Sequence, residues 1–412
     1  MNVIVIGGGA AGCMAAGAAA RQGHAVTIIE RNPRPARKVM ITGKGRCNVT
    51  NNCDVDTFIR NVPENGRFLY SALNAFTPQD TMALFEEMGV PLKTERGNRV
   101  FPVSDKAVDI VDGLTKYAKS GGVRILQGRV TELVIADGVC RGVKLEDGAV
   151  MEADRVIVAT GGRSYPVTGS TGDGYALAEQ AGHTVTPTRP SLVALNSPDL
   201  FCLDMQGLSL KNCGLQVRDN QTNKIIFTDL GEMLFTHFGV SGPLVLTMSC
   251  HLPDNLADAA VTLNLKPGLN KEQLDARLQR DFDDNSRKML RSVLPALLPA
   301  RLAELFPALC GVDGDKICAQ ITREEREIIA DKVQNLPLTL KKLAPIEEAI
   351  VTRGGVSVKE IDPSTMESKL VSGLYFAGEV IDVDAHTGGY NLQIAWATGA
   401  LAGTCAAEEP FC

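Results

Sequence analysis

The sequence contains no long uninterrupted apolar run and no basic leader segment. Its most apolar later stretch, Leu294 to Leu309, is broken by prolines and by the charged residues Arg301 and Glu304. A helix that spans a membrane needs about 20 consecutive and mostly apolar residues, so we expect no membrane contact through such a span. Met1 is followed directly by a strand-like apolar run. We therefore expect a cytoplasmic protein without a signal peptide.

Paired cysteines and metal-ligand spacings are also missing. The 11 cysteines are an odd number without a Cys-x-x-Cys pair, and the 5 histidines do not fall at ligand spacings. Scattered thiols of this kind are typical of proteins in a reducing compartment. The pattern predicts neither a disulfide framework nor a metal site.

An excess of positive charge is the third feature that the sequence lacks. The formal net charge is −6, with 22% charged and 44% hydrophobic residues. This composition is typical of an ordinary globular protein, and 412 residues suffice for two or more domains. Because no global basic field is present for nucleic acid, a small or uncharged substrate is the simpler expectation, and only a local basic patch stays open as an alternative.

The first segment of the chain carries the strongest signal that is present. MNVIVIGGGAAG is a short apolar run that ends in Gly7, Gly9 and Gly12. Glu30 follows at the end of a second apolar run. In a dinucleotide-binding strand-turn-helix, the first glycine allows the tight turn, the second admits the pyrophosphate and the third lets the helix pack on the strand. The acidic residue accepts hydrogen bonds from ribose hydroxyls, so this segment predicts a site for FAD or NAD.

A basic, glycine-rich loop comes shortly after the strand that carries the acid. KVMITGKGRCNVTN places Gly43, Gly45, Arg46 and Asn48 near the expected path of the nucleotide. Arg46 is expected to hold phosphate as a two-pronged fork, and Asn48 or Thr50 to hydrogen-bond the flavin edge. A basic surface loop without a ligand is the alternative.

A third glycine-rich segment begins at Thr160 and Gly161, after the apolar run ADRVIVA. A helix is expected to follow from about Tyr175. The chain is expected to pass close to the cofactor here, and a capped turn before the helix is the alternative.

The last such segment follows the apolar run LYFA and contains Gly378 and Asp382. Asp382 is expected to accept a hydrogen bond from the ribitol. A helix expected from about Asn391 and Leu392 would face the pyrimidine end of a flavin and stabilise negative charge there. This is a second nucleotide-facing segment, and it lies near the C-terminus. Such an arrangement favours an FAD enzyme over a simple NAD dehydrogenase. Because no second GxGxxG is present, NADH or NADPH is expected only as a transient electron donor.

The pattern of strand-like and helix-like residues between these segments differs from the pattern at the two ends of the chain. The fold class is expected to be α/β, with a Rossmann-like FAD domain interrupted by a β-rich insert and a helical lid. The expected boundaries are 1–190 and 346–412 for the two parts of the FAD domain, 191–270 for the insert and 271–345 for the lid. A strand is expected at Gly122 to Val134, and one apolar helix face at Leu274, Leu278 and Phe282.

Together these segments resemble the BaiN/RdsA family of FAD-dependent oxidoreductases over essentially the whole chain. The resemblance rests on GKGRCNVTN from Gly43, GEMLFTHFGVSGP from Gly231, TRGGVSVKEID from Thr352, TMESK from Thr365 and GEVIDVDAHTGGYNLQIAWATG from Gly378. Lys44 and Ala385 depart from the family, which usually has glycine at both positions.

The resemblance implies a two-dinucleotide-binding-type flavoprotein, bound FAD and an enzyme that acts on CH–CH groups. The activities assigned within the family are reduction of 3-oxo-Δ4 bile acid intermediates, dihydrouridine formation in ribosomal RNA, and amine oxidation. The expected function is the first, an enone reduction in steroid and lipid metabolism with hydride passing from NAD(P)H through flavin N5. The other two activities and a non-catalytic, flavin-based redox sensor are the alternatives.

The glycine-rich segments and the resemblance give one set of expected FAD contacts. They are Gly7, Gly9, Ala11, Gly12, Glu30, Arg37, Lys38, Gly43, Gly45, Arg46, Asn48, Val130, Thr160, Gly161, Gly378, Asp382, Asn391 and Leu392.

Enone reduction also needs a donor that polarises the carbonyl group and an acid that protonates the α-carbon. His237, in LFTHFGVSGP, is the first candidate because imidazole titrates near neutral pH. Tyr165 is a candidate donor to the substrate carbonyl, and His386 is expected near the flavin edge. For His237 and Tyr165, a purely structural role is the alternative. An RNA substrate would need a basic entry surface, and acidic residues nearly cancel the basic ones between Lys271 and Arg291.

Overall fold

The computed structural model describes residues 1–408, which fall into two compact units. The terminal unit comprises residues 1–191 together with the described residues from 345 onward. The central unit comprises residues 192–344. Among the described residues, no helix combines the length and apolarity that crossing a membrane requires.

The first part of the terminal unit contains both strands and helices. Its strands are β1 (Asn2–Ile6), β2 (Ala25–Glu30), β3 (Thr50–Asn51), β4 (Leu92–Glu95), β5 (Arg99–Pro102), β6 (Arg124–Gln127), β7 (Val130–Ala136), β8 (Val139–Leu145), β9 (Val150–Glu152), β10 (Arg155–Val158) and β11 (Arg189–Ser191). Its helices are α1 (Ala10–Arg21), α2 (Val55–Ile59), α3 (Tyr70–Ala75), α4 (Pro78–Glu87), α5 (Ala107–Ser120) and α6 (Asp173–Gln180).

The central unit and the second part of the terminal unit follow along the chain. The central unit contains β12 (Leu195–Asn196), α7 (Leu200–Asp204), β13 (Ser209–Asp219), β14 (Ile225–Thr236), β15 (Gly239–Ser241), α8 (Pro243–Ser249), β16 (Ala259–Asn264), α9 (Lys271–Asp284), α10 (Leu290–Val293), α11 (Ala300–Cys310), α12 (Arg323–Gln334), β17 (Leu336–Leu338) and β18 (Lys342–Leu343). The terminal unit then ends with β19 (Val351–Arg353), β20 (Leu374–Phe376) and α13 (Tyr390–Ala406).

A five-stranded parallel sheet forms the centre of the terminal unit. Its strand order is β20-β10-β1-β2-β6, and every neighbouring pair is parallel. Its central strands are buried nearly throughout, as the apolar runs in the sequence require for a sheet covered on both faces. The sequence-based prediction of an α/β fold with a Rossmann-like sheet is confirmed.

One strand prediction in this unit is wrong. Gly122 to Val134 was expected to be a single strand, but β6 ends at Gln127 and β7 begins at Val130. β6 joins the parallel sheet beside β2, whereas β7 pairs with β8 in a separate antiparallel sheet. The alternating pattern gave no sign that the chain passes from one sheet to another, because only two residues separate the strands.

Helices α1 and α13 pack against each other unusually closely. A Cβ atom on Gly399 would lie 2.5 Å from the carbonyl oxygen of Ala11, and one on Gly403 would lie 2.1 Å from that of Ala15. A Cβ atom on Gly378 would lie 2.7 Å from the Cβ of Ala11. The distance between packed helices depends on the side chains at the contact, so these glycines fix the spacing of the two helices.

The central unit combines a sheet and helices around one hydrophobic core. Its strand order is β17-β16-β13-β14-β15-β12-β18, with antiparallel neighbours throughout. On α9, Leu274, Leu278 and Phe282 are buried, as the helical periodicity predicted. They share their core with Val217 of the sheet and Phe306 of α11. The strand-rich and helix-rich segments of the sequence are thus two layers of one unit.

We predict that Gly403→Ala lowers the free energy of unfolding by about 1–3 kcal/mol, because the added methyl group overpacks the contact with α1. Alanine has a higher helix propensity than glycine, so a loss of stability cannot come from the helix itself.

Trp396, the sole tryptophan of the sequence, is buried on α13. Its fluorescence during urea unfolding therefore reports on this helix. Gly268→Ala is the control, since no described residue other than its chain neighbours has an atom within 4 Å of the added Cβ position. Equal stability of Gly403→Ala and the wild type would contradict the prediction.

Candidate functional site

All five strands of the parallel sheet end at the same edge, and each leads into a segment with predicted cofactor contacts. The glycines at 7, 9 and 12 follow β1, Glu30 ends β2, Val130 follows β6, Thr160 and Gly161 follow β10, and Gly378 follows β20. In doubly wound folds, ligands bind outside the carboxyl ends of parallel strands. The fold therefore brings segments from both ends of the chain to one edge.

The loop between β1 and α1 has the geometry of a phosphate-binding turn. A Cβ atom on Gly12 would lie 1.9 Å from the carbonyl oxygen of Gly7, so the third glycine is needed for close packing of turn and helix. The N–H of Gly7 donates to the carbonyl of Ile29 (2.9 Å), which ties the turn to β2. Apart from Gly9 and its two chain neighbours, no described residue has an atom within 4 Å of the Cβ position at Gly9. That space is open to a ligand at the start of α1.

Glu30 is held in place beside this loop. Its carboxylate is buried and accepts hydrogen bonds from the N–H of Gly8 (2.7 Å) and from the N–H and side-chain amide of Asn32 (2.7 Å each). An ionised carboxylate has about four acceptor sites, so one is left for a hydroxyl group of a ligand. The position and orientation of Glu30 suit the predicted contact with ribose.

A charged network joins segments that lie far apart in the sequence. The ammonium group of Lys38 donates to Glu379 (2.6 Å) and to the hydroxyl of Ser164 (2.5 Å). Ser164 donates to Glu379 (2.9 Å), and the N–H of Thr352 donates to the same carboxylate (2.8 Å). Sequence reasoning found Lys38 but missed its partners, although Thr352 and Glu379 belong to the stretches that carry the family resemblance.

The start of α13 is organised by two asparagines. The side chain of Asn391 donates to the carbonyl of Ala385 (2.8 Å) and accepts from its N–H (2.9 Å), which closes the loop before the helix. The amide oxygen of Asn48 accepts from the N–H of Gly389 (3.0 Å), and its nitrogen donates to the carbonyl of Thr50 (3.1 Å). Asn48 thus supports the helix, and its direct contact with a flavin stays a prediction.

Arg46 is already engaged by other protein groups. Its guanidinium pairs with Glu95 and Asp105 (2.5 Å each) and lies 4.1 Å above the ring of Phe101. This arrangement differs from the predicted phosphate fork, because two carboxylates compensate the charge. Lys44 lies nearby with φ +58, a left-handed conformation that accounts for the glycine usual in the family.

Three further predicted contacts lie along the same edge. Arg37 is exposed and donates to the side chain of Asn32 (2.9 Å). Asp382 accepts at its main-chain carbonyl from Asn65 (2.8 Å), and burial raises the pKa of its carboxyl group. Leu392 is half-buried in the first turn of α13.

The three catalytic candidates lie in different places. Tyr165 follows Ser164 in the terminal unit and is half-buried with φ +51. His386 lies on the loop before α13, where its ring approaches Asn61 (3.2 Å) and burial lowers its pKa. His237 is exposed in the turn between β14 and β15 of the central unit, with its ring centroid 4.9 Å from that of Phe238. Their catalytic roles stay predictions.

The residues at the edge of the sheet fit a bound FAD. Helices α1 and α13 both begin there, and their N-caps, Gly9 and Gly389, have no side chain that could satisfy the first N–H groups. Such N–H groups bind the pyrophosphate at one helix and stabilise negative charge on a flavin ring at the other. Glu30 supplies the acceptor for ribose. When bound, FAD would supply hydride chemistry at this edge.

Comparison with known proteins agrees with this assignment. A family model described as HI0933-like protein Rossmann domain matches residues 1–405. The 3-dehydro-bile acid delta(4,6)-reductase of Clostridium scindens is 33% identical over 419 residues, which cover 100% of both chains. The ribosomal RNA dihydrouridine synthase of Haemophilus influenzae is 33% identical over 405 residues, 96% of each chain. Among solved structures, the apo form of the Mycobacterium smegmatis Sdh1 complex has a TM-score of 0.50 at 18% identity, covers 98% of this chain and 68% of that chain, and shares the fold.

We predict that Glu30→Ala weakens FAD binding by about 10- to 100-fold, the usual worth of a hydrogen bond to a charged group. The measurement is the flavin content of the purified protein, followed by titration of the flavin-free protein with FAD. Glu132→Ala is the matched control, because Glu132 is an exposed carboxylate on β7. A wild-type flavin content in Glu30→Ala would remove Glu30 from the site.

Proposed function

The chain belongs to the HI0933-like Rossmann family and is an FAD-dependent oxidoreductase, and from this membership we propose that it reduces the carbon–carbon double bond of an enone. Membership confirms the resemblance found in the sequence. The observation that carries the proposal is whole-length similarity to two enzymes whose named reactions saturate a double bond conjugated to a carbonyl group. The site at the edge of the parallel sheet supports it, because the residues there fit FAD.

The first candidate substrate is a 3-oxo-Δ4 bile acid. Charge supports this choice over RNA, because several basic side chains of the central unit form ion pairs with acids. Three such pairs are Arg277–Asp281 (3.4 Å), Arg326–Asp275 (2.8 Å) and Lys316–Glu325 (2.7 Å). A surface that binds RNA needs uncompensated basic groups to neutralise phosphates. The net charge of −6 points the same way.

The second candidate substrate is a uridine of ribosomal RNA. The Haemophilus influenzae relative supports it, with the same 33% identity as the bile acid enzyme. Saturation of C5=C6 in uridine is the same type of reaction, since that bond is conjugated to the C4 carbonyl. The same addition of hydride and proton would therefore reduce both substrates. The two candidates differ in the surface through which the substrate reaches the site.

In the proposed reaction NADH or NADPH is a transient electron donor, and FAD held by Glu30 and the N-termini of α1 and α13 would supply the hydride chemistry. His237 polarises the substrate carbonyl, and Tyr165 is the second candidate for this role. His386 lies on the loop that leads to α13 and helps to shape the flavin edge. We place the enzyme in the cytoplasm, in keeping with the absence of a disulfide bond among the ten cysteines that the structure describes.

The experiment that tests this function is anaerobic. The flavin is reduced with NAD(P)H, and its reoxidation is followed after addition of a 3-oxo-Δ4 bile acid or of uridine-containing ribosomal RNA. We expect rapid reoxidation by the steroid with formation of a saturated product. Reoxidation by RNA alone would select the second candidate. Reoxidation by neither compound would exclude enone reduction, and rapid peroxide formation with an amine substrate would indicate an oxidase.

We predict that His237→Ala retains its flavin and its reduction by NAD(P)H but reduces enone at least about 100-fold more slowly, the usual contribution of such a donor. Stopped-flow absorbance separates the two half-reactions. His251→Ala is the control, since that ring packs 5.0 Å from Phe227 in the same unit. Unchanged reoxidation in His237→Ala would give His237 a structural role.

A further inference from the structure

A buried carboxyl group lies on the loop between β20 and α13. The residue, Asp384, is 3% exposed. Its carboxyl oxygen accepts a hydrogen bond from the hydroxyl of Ser191 (2.5 Å), which is itself fully buried at the end of β11. None of the FAD contacts described above uses this acid. A buried ionisable group is costly to maintain unless its surroundings compensate the charge.

The surroundings of Asp384 contain both signs of charge. Arg189 and Arg353 are direct cross-strand partners in the ribbon of β11 and β19. Like charges at such positions repel each other, so the ribbon needs nearby carboxylates. Glu64 forms an ion pair with Arg353, and Asp382 and Asp384 also act on these arginines. Asp384 is therefore the most deeply buried member of a mixed cluster of two arginines and three acids.

The cluster is fixed relative to the cofactor edge. Asp384 lies two residues after Asp382, a predicted FAD contact, and directly before Ala385. Ala385 exchanges two hydrogen bonds with the side chain of Asn391, in the first turn of α13 (2.8 and 2.9 Å). Asn391 is a predicted contact as well. The loop thus places Asp384 next in sequence to Ala385, whose main chain is tied to the start of α13, and its carboxyl group is held by Ser191.

We propose that Asp384 is the acid that protonates the substrate carbon during enone reduction, an inference that rests on the proposed function. The reaction adds one hydride and one proton across the double bond. The hydride, with both of its electrons, comes from the reduced flavin and forms the new C–H bond at the β-carbon. The electron pair of the double bond passes to the α-carbon, which takes the proton of Asp384 directly or through one water molecule. Asp384 is left as a carboxylate and regains a proton from solvent before the next turnover.

The neighbours of Asp384 suit this role. Ser191 orients the carboxyl group, and Arg353 stabilises the carboxylate that forms when the proton leaves. Burial raises the pKa of Asp384 to about 6, while the Ser191 hydrogen bond and Arg353 oppose the rise. An acid with a pKa near the working pH donates protons most efficiently. Because the donor must be protonated, the rate of enone reduction should fall as the pH rises through this pKa.

The test uses the FAD-loaded enzyme and two substitutions. In Asp384→Asn, flavin content and reduction by NAD(P)H should remain, while reoxidation by the enone should slow by about 100-fold or more. The Ser191 hydrogen bond stabilises the charged carboxylate, so its loss in Ser191→Ala should raise the pKa of Asp384. The falling limb of the pH profile should therefore move to higher pH. Asp112→Asn is the control, since Asp112 is an exposed carboxylate on α5.

A second readout needs no turnover. Infrared difference spectra of the flavin-free protein should show a protonated carboxyl band that disappears as the pH rises through about 6. The band should be missing in Asp384→Asn and titrate at higher pH in Ser191→Ala. A purely structural acid would leave the pH profile of reoxidation unchanged in Ser191→Ala.

Each outcome decides between the two proposals. Wild-type reoxidation in Asp384→Asn, or an unmoved pH limb in Ser191→Ala, would overturn the assignment of Asp384 while leaving enone reduction intact. Failure of the wild type to reduce either the steroid or uridine would overturn the proposed function, and the proton-donor role would fall with it. If Asp384→Asn does not fold, the pH profile of Ser191→Ala alone decides.

Discussion

The close contact between α1 and α13 is the constraint on which the site depends. Both helices begin at the carboxyl edge of the parallel sheet, one after Gly9 and the other after Gly389. Because Gly399 and Gly403 allow the helix backbones to touch at Ala11 and Ala15, the two N-termini keep a fixed separation. The ribityl chain limits the span between the pyrophosphate and the flavin ring of FAD, so donors for both ends must be held within that span.

Charge gives the second level of order at this edge. Lys38, Ser164 and Glu379 come from three segments that are far apart along the chain, and their hydrogen bonds join the loops after β2, β10 and β20. The cluster around Asp384 and Arg353 joins the β11–β19 ribbon to the loop before α13. Packing thus sets the spacing of the helices, while these polar contacts set the positions of the loops between them.

The parts of the site that the sequence predicted are those encoded locally. The turn at Gly7, Gly9 and Gly12 and the acid at Glu30 follow from one strand-helix-strand unit, which neighbouring residues largely determine. The pairing of Arg46 with Glu95 could not be foreseen, because about fifty residues separate the partners and only the fold brings them together. The cluster of Asp384 is less local still, since Ser191 lies 193 positions away along the chain. Composition and periodicity carry no signal for such contacts.

The order of the strands has a consequence for biosynthesis. Until β20 emerges from the ribosome, β10 is the outer strand of the parallel sheet, and the face of α1 that receives Gly399 and Gly403 is uncovered. The whole central unit, residues 192–344, is made in this interval. Domains generally fold as units during synthesis, so the central unit can fold while the first part of the terminal unit waits for its last strand and helix. An open strand edge and an apolar helix face are exposed meanwhile, and such surfaces favour aggregation of a folding intermediate.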